Sequence, residues 1–280
     1  MAHKKQVDLK FFASGYCTVH KKILNISNDK GTYKSYSTWC LIRHSAYGII
    51  LFDTGYSTRF FSATKSYPDR FHALATPVFI NEAGSAKALL LNEGILPSEV
   101  RYIIISHFHA DHVCGLIDFP NAQFICSSAA LAQMKALNGF NAVKKGILKK
   151  LIPGDLIPRT LFIEDISSAN FDTASKLTFF KLFGLEELQV VYLPGHARGM
   201  LGLFVTTGSQ KVLFATDAAW DSEAFRKKIL PKKIVKFFFD SWTDYRETYE
   251  KLYSFMDNNA DVELLFTHCP LTLKRTENAV

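Results

Sequence analysis

The sequence predicts an α/β protein built from stacked layers of β-sheet and helix. Runs of β-branched and aromatic residues with the length of strands recur along the chain. Segments with helix caps lie between them, and several runs end at a polar residue of a metal-binding type. The chain is 280 residues long, 48% of them are hydrophobic, and no repeat or clear linker divides it. We therefore expect a single domain that spans residues 1–280.

The predicted strands lead into loops that carry polar residues. Two of them form a pair, and Asp53 follows the second member of this pair. A histidine-rich segment, His196, Asp217 and His268 follow the later strands. If these strands lie in one region of a layered sheet, the polar residues at their ends converge. The strands are predicted at residues 39–43, 48–52, 100–105, 188–193, 212–215 and 262–266.

Four further segments are predicted to be helices. Gly94 suits the end of the first, because glycine adopts a positive φ at little cost. Ser127 or Ser128 is expected to cap the second. Residues 56–78 are rich in aromatic residues and proline and have no clear period, so we expect a long irregular loop near the site. The helices are predicted at residues 81–93, 127–137, 225–239 and 243–256.

The net charge is +7, and part of it lies in the lysine-rich segments 144–150 and 226–236. Nucleic-acid or membrane-surface binding is one explanation for such segments. We favour a solvated helix face, because Ile229, Val235 and other apolar residues interrupt the lysines as in an amphipathic helix with a buried side. No nucleic-acid-binding motif accompanies them, and no apolar run approaches the roughly 18–20 residues of a membrane span. We expect neither nucleic acid nor membrane as a partner.

Cysteine usage and the first residues bear on the compartment. Five cysteines are scattered without CxxC spacing, which is typical of reduced thiols rather than of a disulfide framework. Residues 1–8 contain no long apolar stretch and no small-residue cleavage site, so no signal peptide is predicted. We therefore expect a cytoplasmic protein. Its exposed-looking aromatic residues suggest a homodimer.

Three histidines and an aspartate crowd into six residues directly after the apolar run 102–105. Neutral imidazole and carboxylate are ligands of zinc and related metals. A loop at the carboxyl end of a buried strand is also the usual place for an α/β active site. A metal ion is the simplest object that such a loop could wrap around. The cluster consists of His107, His109, Asp111 and His112.

Together with the later strand ends, this cluster supplies ligands for two metal ions. His107, His109 and His196 are expected to hold one ion. Asp111, His112 and His268 are expected to hold the other ion, and Asp217 can bridge both ions through its two carboxylate oxygens. Three ligands per ion and a bridge leave room for solvent, which is typical of a catalytic site. The imidazole-rich set favours two zinc ions, with iron, cobalt or manganese as substitutes.

Asp53 is predicted to support this site from outside the ligand set. A metal-bound imidazole needs its second N–H held, and a carboxylate commonly holds it. A simple turn aspartate before Gly55 is the alternative. Cys114 and Cys269 lie beside predicted ligands, but the set is complete without them, and we expect neither to bind metal.

The segment His107-Phe108-His109-Ala110-Asp111-His112, followed in order by His196, Asp217 and His268, resembles the HxHxDH signature of the metallo-β-lactamase superfamily. This resemblance implies a four-layer αββα sandwich with a dinuclear site at the edge where the two sheets meet. The bridging Asp217 is absent from true class B β-lactamases, which argues against antibiotic hydrolysis. Flavodiiron oxidoreductases carry glutamate at the position of His109, which argues against redox chemistry.

Within this superfamily the chain looks most like the N-acyl homoserine lactonases and their relatives. Residues 15–17, 39–41, 50–55 and 106–109 carry the likeness. Those lactonases have a tyrosine three residues after the bridging aspartate, where this chain has Trp220, and a phenylalanine where it has Ala110. The expected substrate pocket therefore has its own walls. The candidates are Ala110, Trp220, Phe60, Phe61 and Phe71, and packing in the core or at a dimer interface is the alternative for the four aromatic residues.

The most concrete functional prediction is a dinuclear zinc hydrolase of a lactone or another carboxylic ester. A metal-bridged hydroxide would attack the carbonyl carbon, and Asp111 and Asp217 are the candidate catalytic carboxylates. A small-molecule substrate is the expected partner. The same site could instead cleave a phosphodiester, a phosphotriester or a thioester, with the lysine-rich segment binding an anion. A non-catalytic ligand-binding protein is the remaining alternative.

Overall fold

Two β-sheets packed face to face form the centre of the structure. This computed structural model describes residues 7–25, 31–208 and 210–277. Of the segment 1–8, for which no signal peptide is predicted, only Val7 and Asp8 are described. The strands are β1 (Val7–His20), β2 (Thr32–His44), β3 (Gly48–Phe52), β4 (Val78–Phe79), β5 (Val100–Ile104), β6 (Gln123–Cys126), β7 (Thr160–Phe162), β8 (Ser167–Phe171), β9 (Thr178–Leu182), β10 (Leu188–Tyr192), β11 (Leu201–Thr206), β12 (Lys211–Phe214) and β13 (Val262–Leu265).

Helices cover the outer faces of both sheets. The α-helices are α1 (Lys21–Leu24), α2 (Arg59–Ala63), α3 (Arg70–Ala75), α4 (Ala86–Asn92), α5 (Ala110–Val113), α6 (Ser128–Ala136), α7 (Gly139–Lys144), α8 (Ile163–Ile166), α9 (Ser222–Arg226), α10 (Trp242–Asn258) and α11 (Pro270–Glu277). Short 3₁₀ turns lie at Glu82–Gly84, Pro97–Glu99, Leu116–Asp118, Lys149–Leu151, Ile157–Arg159, Thr216–Ala218 and Lys233–Phe237. Within the described residues, no helix is both long enough and apolar enough to cross a membrane.

The first sheet has the strand order β4-β1-β2-β3-β5-β6-β7, and the second has the order β13-β12-β11-β10-β9-β8. In the first sheet, β3, β5, β6 and β7 run parallel, whereas β1, β2 and β4 pair antiparallel. In the second sheet, β12 and β13 are the parallel pair. Parallel neighbours end at the same edge of a sheet, so the loops after β3 and β5 are adjacent, as are those after β12 and β13.

Alternation of side chains along the strands produces the layers. In β2, Cys40 and Ile42 face the second sheet and belong to a core cluster with Leu203 and Phe214. Their neighbours Trp39 and Leu41 belong to a different cluster under the helices of the first sheet. A third cluster lies between the second sheet and α10. Since residues two apart in a strand share a face, this pattern gives the four-layer αββα sandwich that the resemblance implied.

Two of the predicted helices agree closely with the structure. The helix α6 begins after Ser127, whose hydroxyl accepts a hydrogen bond from the N–H of Ala130. The helix predicted at 243–256 corresponds to α10. The helix predicted at 81–93 is shorter: it begins after Ser85, with a 3₁₀ turn before it. It ends as predicted at Gly94, which has a φ of 73°.

Two predictions about local structure are wrong. The helix predicted at residues 225–239 does not form, because α9 ends at Arg226, Lys228 has a φ of 55°, and a separate 3₁₀ turn begins at Lys233. Pro231 between them lacks an N–H and does not suit the interior of a helix. The lysine-rich segment 226–236 is therefore not one amphipathic helix. The irregular loop predicted at residues 56–78 instead contains α2 and α3. Phe60 and Ala63 pack α2 against the first sheet, which a local sequence pattern does not show.

We predict that Gly195 is required for the seating of α10 beside the loop after β10. Gly195 has a φ of 127°, and a Cβ there would lie 2.1 Å from the backbone nitrogen of Tyr245. Gly195→Ala should therefore lower the free energy of unfolding by about 3 kcal/mol or more, measured by denaturant titration. Gly94→Ala is the matched control, since Gly94 also has positive φ but has no heavy atom within 4 Å. It should cost only about 1–2 kcal/mol. Equal losses in the two variants would contradict the close contact.

Candidate metal centre

Three imidazoles form the first group of ligands. His107 and His109 lie in the loop after β5, and His196 lies in the loop after β10. Their ligand atoms lie within 4.8 Å of one another. His196 Nε2 is 3.1 Å from His109 Nδ1. These loops belong to different sheets, so the group exists only because the two sheets pack together.

A second group of four ligands lies beside the first. It contains Asp111 and His112 from α5, Asp217 after β12 and His268 after β13, again within 4.8 Å of one another. His268 Nε2 and His112 Nε2 lie 3.4 and 3.5 Å from Asp111 Oδ2. The structure therefore brings together all seven residues that the sequence indicated, in the two groups that were expected.

Asp217 lies between the two groups. Its Oδ2 is 3.2 Å from His196 Nε2 of the first group and 3.1 Å from His268 Nε2 of the second. Its Oδ1 is 3.6 Å from His112 Nε2. Only 2% of the Asp217 side chain is exposed. Asp217 is therefore the one carboxylate of the second group that also contacts the first group.

The atoms present fit metal ions. Zinc bonds of about 2.0–2.2 Å in a tetrahedral arrangement place neighbouring ligand atoms roughly 3.4 Å apart. The pairs described above, at 3.1–3.6 Å, agree with this spacing. In addition, His107 Nε2, His112 Nε2 and Asp217 Oδ1 are buried without any hydrogen-bond partner. Buried polar atoms almost always have a partner, so these three point to a ligand that the protein alone does not supply.

The electrostatics differ between the two groups. Burial lowers the pKa of both His107 and His109 well below the ordinary value, and neighbouring imidazoles add to this effect. Both are therefore neutral at physiological pH, with lone pairs free for a metal. Burial also opposes protonation of His112, but Asp111, Asp53 and Asp217 outweigh it and hold the pKa of His112 well above its ordinary value. A metal ion at the second group would compete with this proton for His112.

Asp53 holds the second ring nitrogen of a ligand. Its carboxylate lies 2.7 Å from His112 Nδ1 and accepts hydrogen bonds from the backbone N–H and the hydroxyl of Ser106 at 2.8 and 2.7 Å. Asp53 is fully buried and has a φ of 62°, a conformation that aspartate and asparagine tolerate better than most residues. Ser106, which belongs to the segment 106–109 that carries the family likeness but had no role assigned to it, therefore joins Asp53 to the histidine-rich loop.

The ring of His268 is oriented by β2, which local sequence reasoning did not connect with the site. His268 Nδ1 lies 2.8 Å from the carbonyl oxygen of Tyr36. The hydroxyl of Tyr33 donates to the carbonyl oxygen of His268 at 3.1 Å, and that of Thr38 donates to Thr267 at 2.6 Å. Strand β2 thereby turns Nε2 of His268 toward Asp217. These contacts span more than 200 residues, so no local pattern could indicate them.

Three other residues touch the first group without being ligands. The ring of Phe239 lies 4.8 Å from that of His196, and the indole of Trp220 lies 6.0 Å from it. Gly146 packs on His109 so closely that a Cβ would lie 2.8 Å from its ring. Of these three, only Trp220 had been singled out from the sequence.

The other predicted pocket residues have different surroundings. Ala110 and Phe60 are buried in the core cluster under the first sheet. Phe61 and Phe71 are 44% and 47% exposed. Near them on α3, the pKa of His72 is lowered by burial, against the opposing effect of the Asp111 carboxylate.

The two cysteines beside the ligands contact hydroxyl groups. Cys114 Sγ lies 3.2 Å from Ser57 Oγ, and Cys269 Sγ lies 3.1 Å from Ser222 Oγ. Neither belongs to the two groups of candidate ligands. All five cysteines are buried and unpaired.

Comparison with known families gives one match over most of the chain. Residues 34–255 match the model of the metallo-beta-lactamase superfamily. This range includes six of the seven candidate ligands, and His268 follows it.

Individual proteins are similar over nearly the same extent. An N-acyl homoserine lactonase of Bacillus cereus is 24% identical over 226 residues, which is 79% of each chain. The N-acyl homoserine lactonase AttM of Agrobacterium fabrum is 24% identical over 270 residues, or 94% of each chain. A solved structure of an N-acyl homoserine lactone hydrolase, with N-hexanoyl-L-homoserine at its catalytic metal center, superimposes with a TM-score of 0.73 and 21% identity. It covers 98% of this chain and 96% of its own.

We predict that Asp53→Asn weakens metal binding without changing the fold. Asparagine keeps the size of the side chain and tolerates the same positive φ, but it removes the charge held against His112 and replaces one acceptor oxygen with an NH2 donor. Affinity for the more weakly bound ion should fall about 10- to 100-fold, measured by competition with a chromophoric chelator. Asp172→Asn is the control, because Asp172 also accepts backbone hydrogen bonds but lies in a turn between β8 and β9. Unchanged affinity in Asp53→Asn would refute the role of this carboxylate.

Proposed function

Because the chain belongs to the metallo-β-lactamase superfamily, we propose that this metal-dependent hydrolase opens the ester bond of a lactone. The observation that carries the proposal is the pair of ligand groups with Asp217 between them. Relatives that are similar over 79% to 94% of the chain are N-acyl homoserine lactonases, which supports a lactone as the substrate. Other carboxylic esters share the same reacting carbonyl and belong to the same substrate class.

We further propose that the two groups hold two zinc ions. The predominance of imidazole favours zinc, and iron, cobalt or manganese can substitute. The first ion would take His107, His109 and His196, the second Asp111, His112 and His268, and both would share Asp217. Such ions, when bound, polarise a carbonyl oxygen and lower the pKa of water.

Residues of the chain itself must supply the proton transfer that the reaction needs. When the ester bond of a lactone breaks, the ring oxygen leaves as an alkoxide and needs a proton. Trp220 can donate a hydrogen bond from its indole N–H but cannot exchange a proton. We assign the proton transfer to Asp217, with Asp111 as the second candidate: the carboxylate accepts the proton that the attacking water gives up and passes it to this alkoxide.

An aromatic wall beside His196 fits an apolar part of the substrate. The rings of Trp220 and Phe239 lie 5.5 Å apart, and each contacts His196. The partly exposed indole of Trp220 offers apolar surface to an acyl chain or a lactone ring, and the buried ring of Phe239 excludes water from His196. The partner that we propose is accordingly a small molecule. A cytoplasmic location agrees with the five free, buried cysteines.

The test is hydrolysis of a panel of lactones and simple esters by the zinc-loaded protein. We expect turnover of at least one lactone, and a loss of at least about 100-fold in kcat when Asp217 is replaced by asparagine. Phosphodiesters, phosphotriesters and thioesters belong in the same panel. If the protein hydrolyses only one of those substrates, it is still a hydrolase, but a lactone is not its substrate. No turnover of any substrate by protein that carries its metal would leave the non-catalytic alternative.

We predict that Trp220 acts as a wall rather than as a chemical group. Trp220→Ala should raise KM about tenfold because apolar contact with the substrate is lost, whereas Trp220→Phe should change KM by less than about threefold. Metal content serves as the control and should be unchanged in both variants. A large fall in kcat for Trp220→Phe at unchanged KM would show instead that the indole N–H acts in the transition state.

A further inference from the structure

We propose that the face around the metal centre docks on an anionic phospholipid surface. This interaction does not depend on the proposed lactonase activity. It is carried by two exposed apolar patches, by their position beside the metal centre, and by the charge around them. We call the two patches, together with the basic residues among them, the docking rim.

The first patch is the 3₁₀ turn Lys233–Phe237 and the residue after it. Ile234, Phe237 and Phe238 are 54%, 51% and 54% exposed, whereas Val235 and Phe239 are buried. In a 3₁₀ turn, residues three apart share one side, so Ile234 and Phe237 project together. Three large apolar side chains in five residues, all half-exposed, are unusual on the surface of a protein that functions alone.

The second patch lies on α2, α3 and α7. The ring of Tyr67 contacts that of Phe71 at 4.7 Å, and Phe71 contacts Phe140 at 5.8 Å. Their exposed fractions are 60%, 47% and 58%. Leu74 on the same helix as Phe71 is 62% exposed, and Phe61 on α2 is 44% exposed. Aromatic rings that contact one another yet stay open to solvent form a continuous apolar surface.

Both patches border the metal centre. Phe239, at the end of the first patch, contacts the ligand His196, and its carbonyl oxygen accepts a hydrogen bond from Lys145. Lys145 directly follows α7 of the second patch, and the next residue, Gly146, packs on the ligand His109. The two patches are therefore joined through residues that touch the centre.

The surroundings of the patches are strongly basic. Residues 59–75, 138–150 and 226–240 contain thirteen lysines and arginines but only two acidic residues, Asp69 and Asp240. Asp69 pairs with Lys150 and Asp240 with Arg198, while Arg59 and Lys227 pair with Asp118 and Glu223 outside these segments, so three of the thirteen basic residues are in ion pairs. The exposed basic residues nearest the apolar side chains are Lys65, Arg70, Lys144, Lys232, Lys233 and Lys236.

The positive charge of the docking rim favours an anionic lipid surface over a second copy of the chain as its partner. A two-fold contact through this face would bring the same basic residues of both copies together, which is unfavourable. Anionic headgroups neutralise them instead, and each lysine or arginine near the surface adds to the attraction. Phenylalanine, leucine and isoleucine side chains insert at the boundary between headgroups and acyl chains, while lysines reach back to the phosphates.

This inference revises two expectations from the sequence, a homodimer suggested by the exposed-looking aromatic residues and the absence of a membrane partner. We expected no membrane partner because the lysines of 226–236 were assigned to an amphipathic helix whose apolar side is buried. The structure has no such helix, and the apolar residues Ile234, Phe237 and Phe238 face solvent. The contact that we propose is with the surface of a bilayer only.

The test is co-sedimentation of the full-length, metal-loaded protein with phosphatidylcholine vesicles that contain or lack phosphatidylglycerol. We expect binding to the anionic vesicles at least about tenfold tighter than to the neutral ones, and weaker in high salt. Phe237→Ser combined with Phe238→Ser, and Lys232→Glu combined with Lys233→Glu and Lys236→Glu, should each weaken binding at least about tenfold. Circular dichroism and metal content report whether these variants are folded.

Two substitutions of the same chemical kinds serve as controls. Phe171 on β8 is 56% exposed, and Lys87 on α4 is exposed, but neither belongs to the docking rim. Phe171→Ser and Lys87→Glu should leave vesicle binding unchanged. Equal binding to neutral and anionic vesicles, or equal losses in control and rim variants, would overturn the proposal. So would a dimer that only the rim variants dissociate, or binding of oligonucleotides in place of vesicles.

Discussion

The site depends on one set of contacts, those of the Asp217 carboxylate with imidazoles of both groups of candidate ligands. The oxygens of Asp217 lie 3.1–3.6 Å from nitrogens of His112, His196 and His268. Burial opposes its ionisation, but the imidazoles of His268 and His112 hold the pKa of Asp217 well below the ordinary value. A buried carboxylate is tolerated only when such partners surround it. Since these partners follow different strands, Asp217 is stable only when the two sheets are fully packed.

The fold supports this arrangement from three directions. Asp53 and Ser106 secure the histidine-rich loop from the first sheet, and β2 orients His268 through backbone carbonyl groups. From the second sheet, the tight approach of α10 to Gly195 fixes the loop that carries His196. Held in this way, ligand atoms keep their spacing before any ion binds, and less reorganisation is needed when it does.

The sequence predicted the ligands well because each follows a local signal, an apolar strand that ends in a histidine or aspartate. It missed β1, whose strand pattern is interrupted by a register shift between Ala13 and Tyr16. It also missed Phe239 and Gly146, because their contacts with His196 and His109 join parts of the chain far apart in sequence. We predicted one helix over residues 225–239 from its helical periodicity, although Pro231 argues against a continuous helix. That error also hid the exposure of Phe237 and Phe238, on which the docking rim depends.

Counting the metal ions bound per chain tests the central claim most directly. Elemental analysis of protein that has been reloaded with zinc and then freed of excess metal gives this number. We expect two ions per chain for the natural sequence, and loss of the second ion before the first as chelator is added. A maximum of one ion per chain after careful reloading would contradict the account, because Asp217 would then belong to a single site.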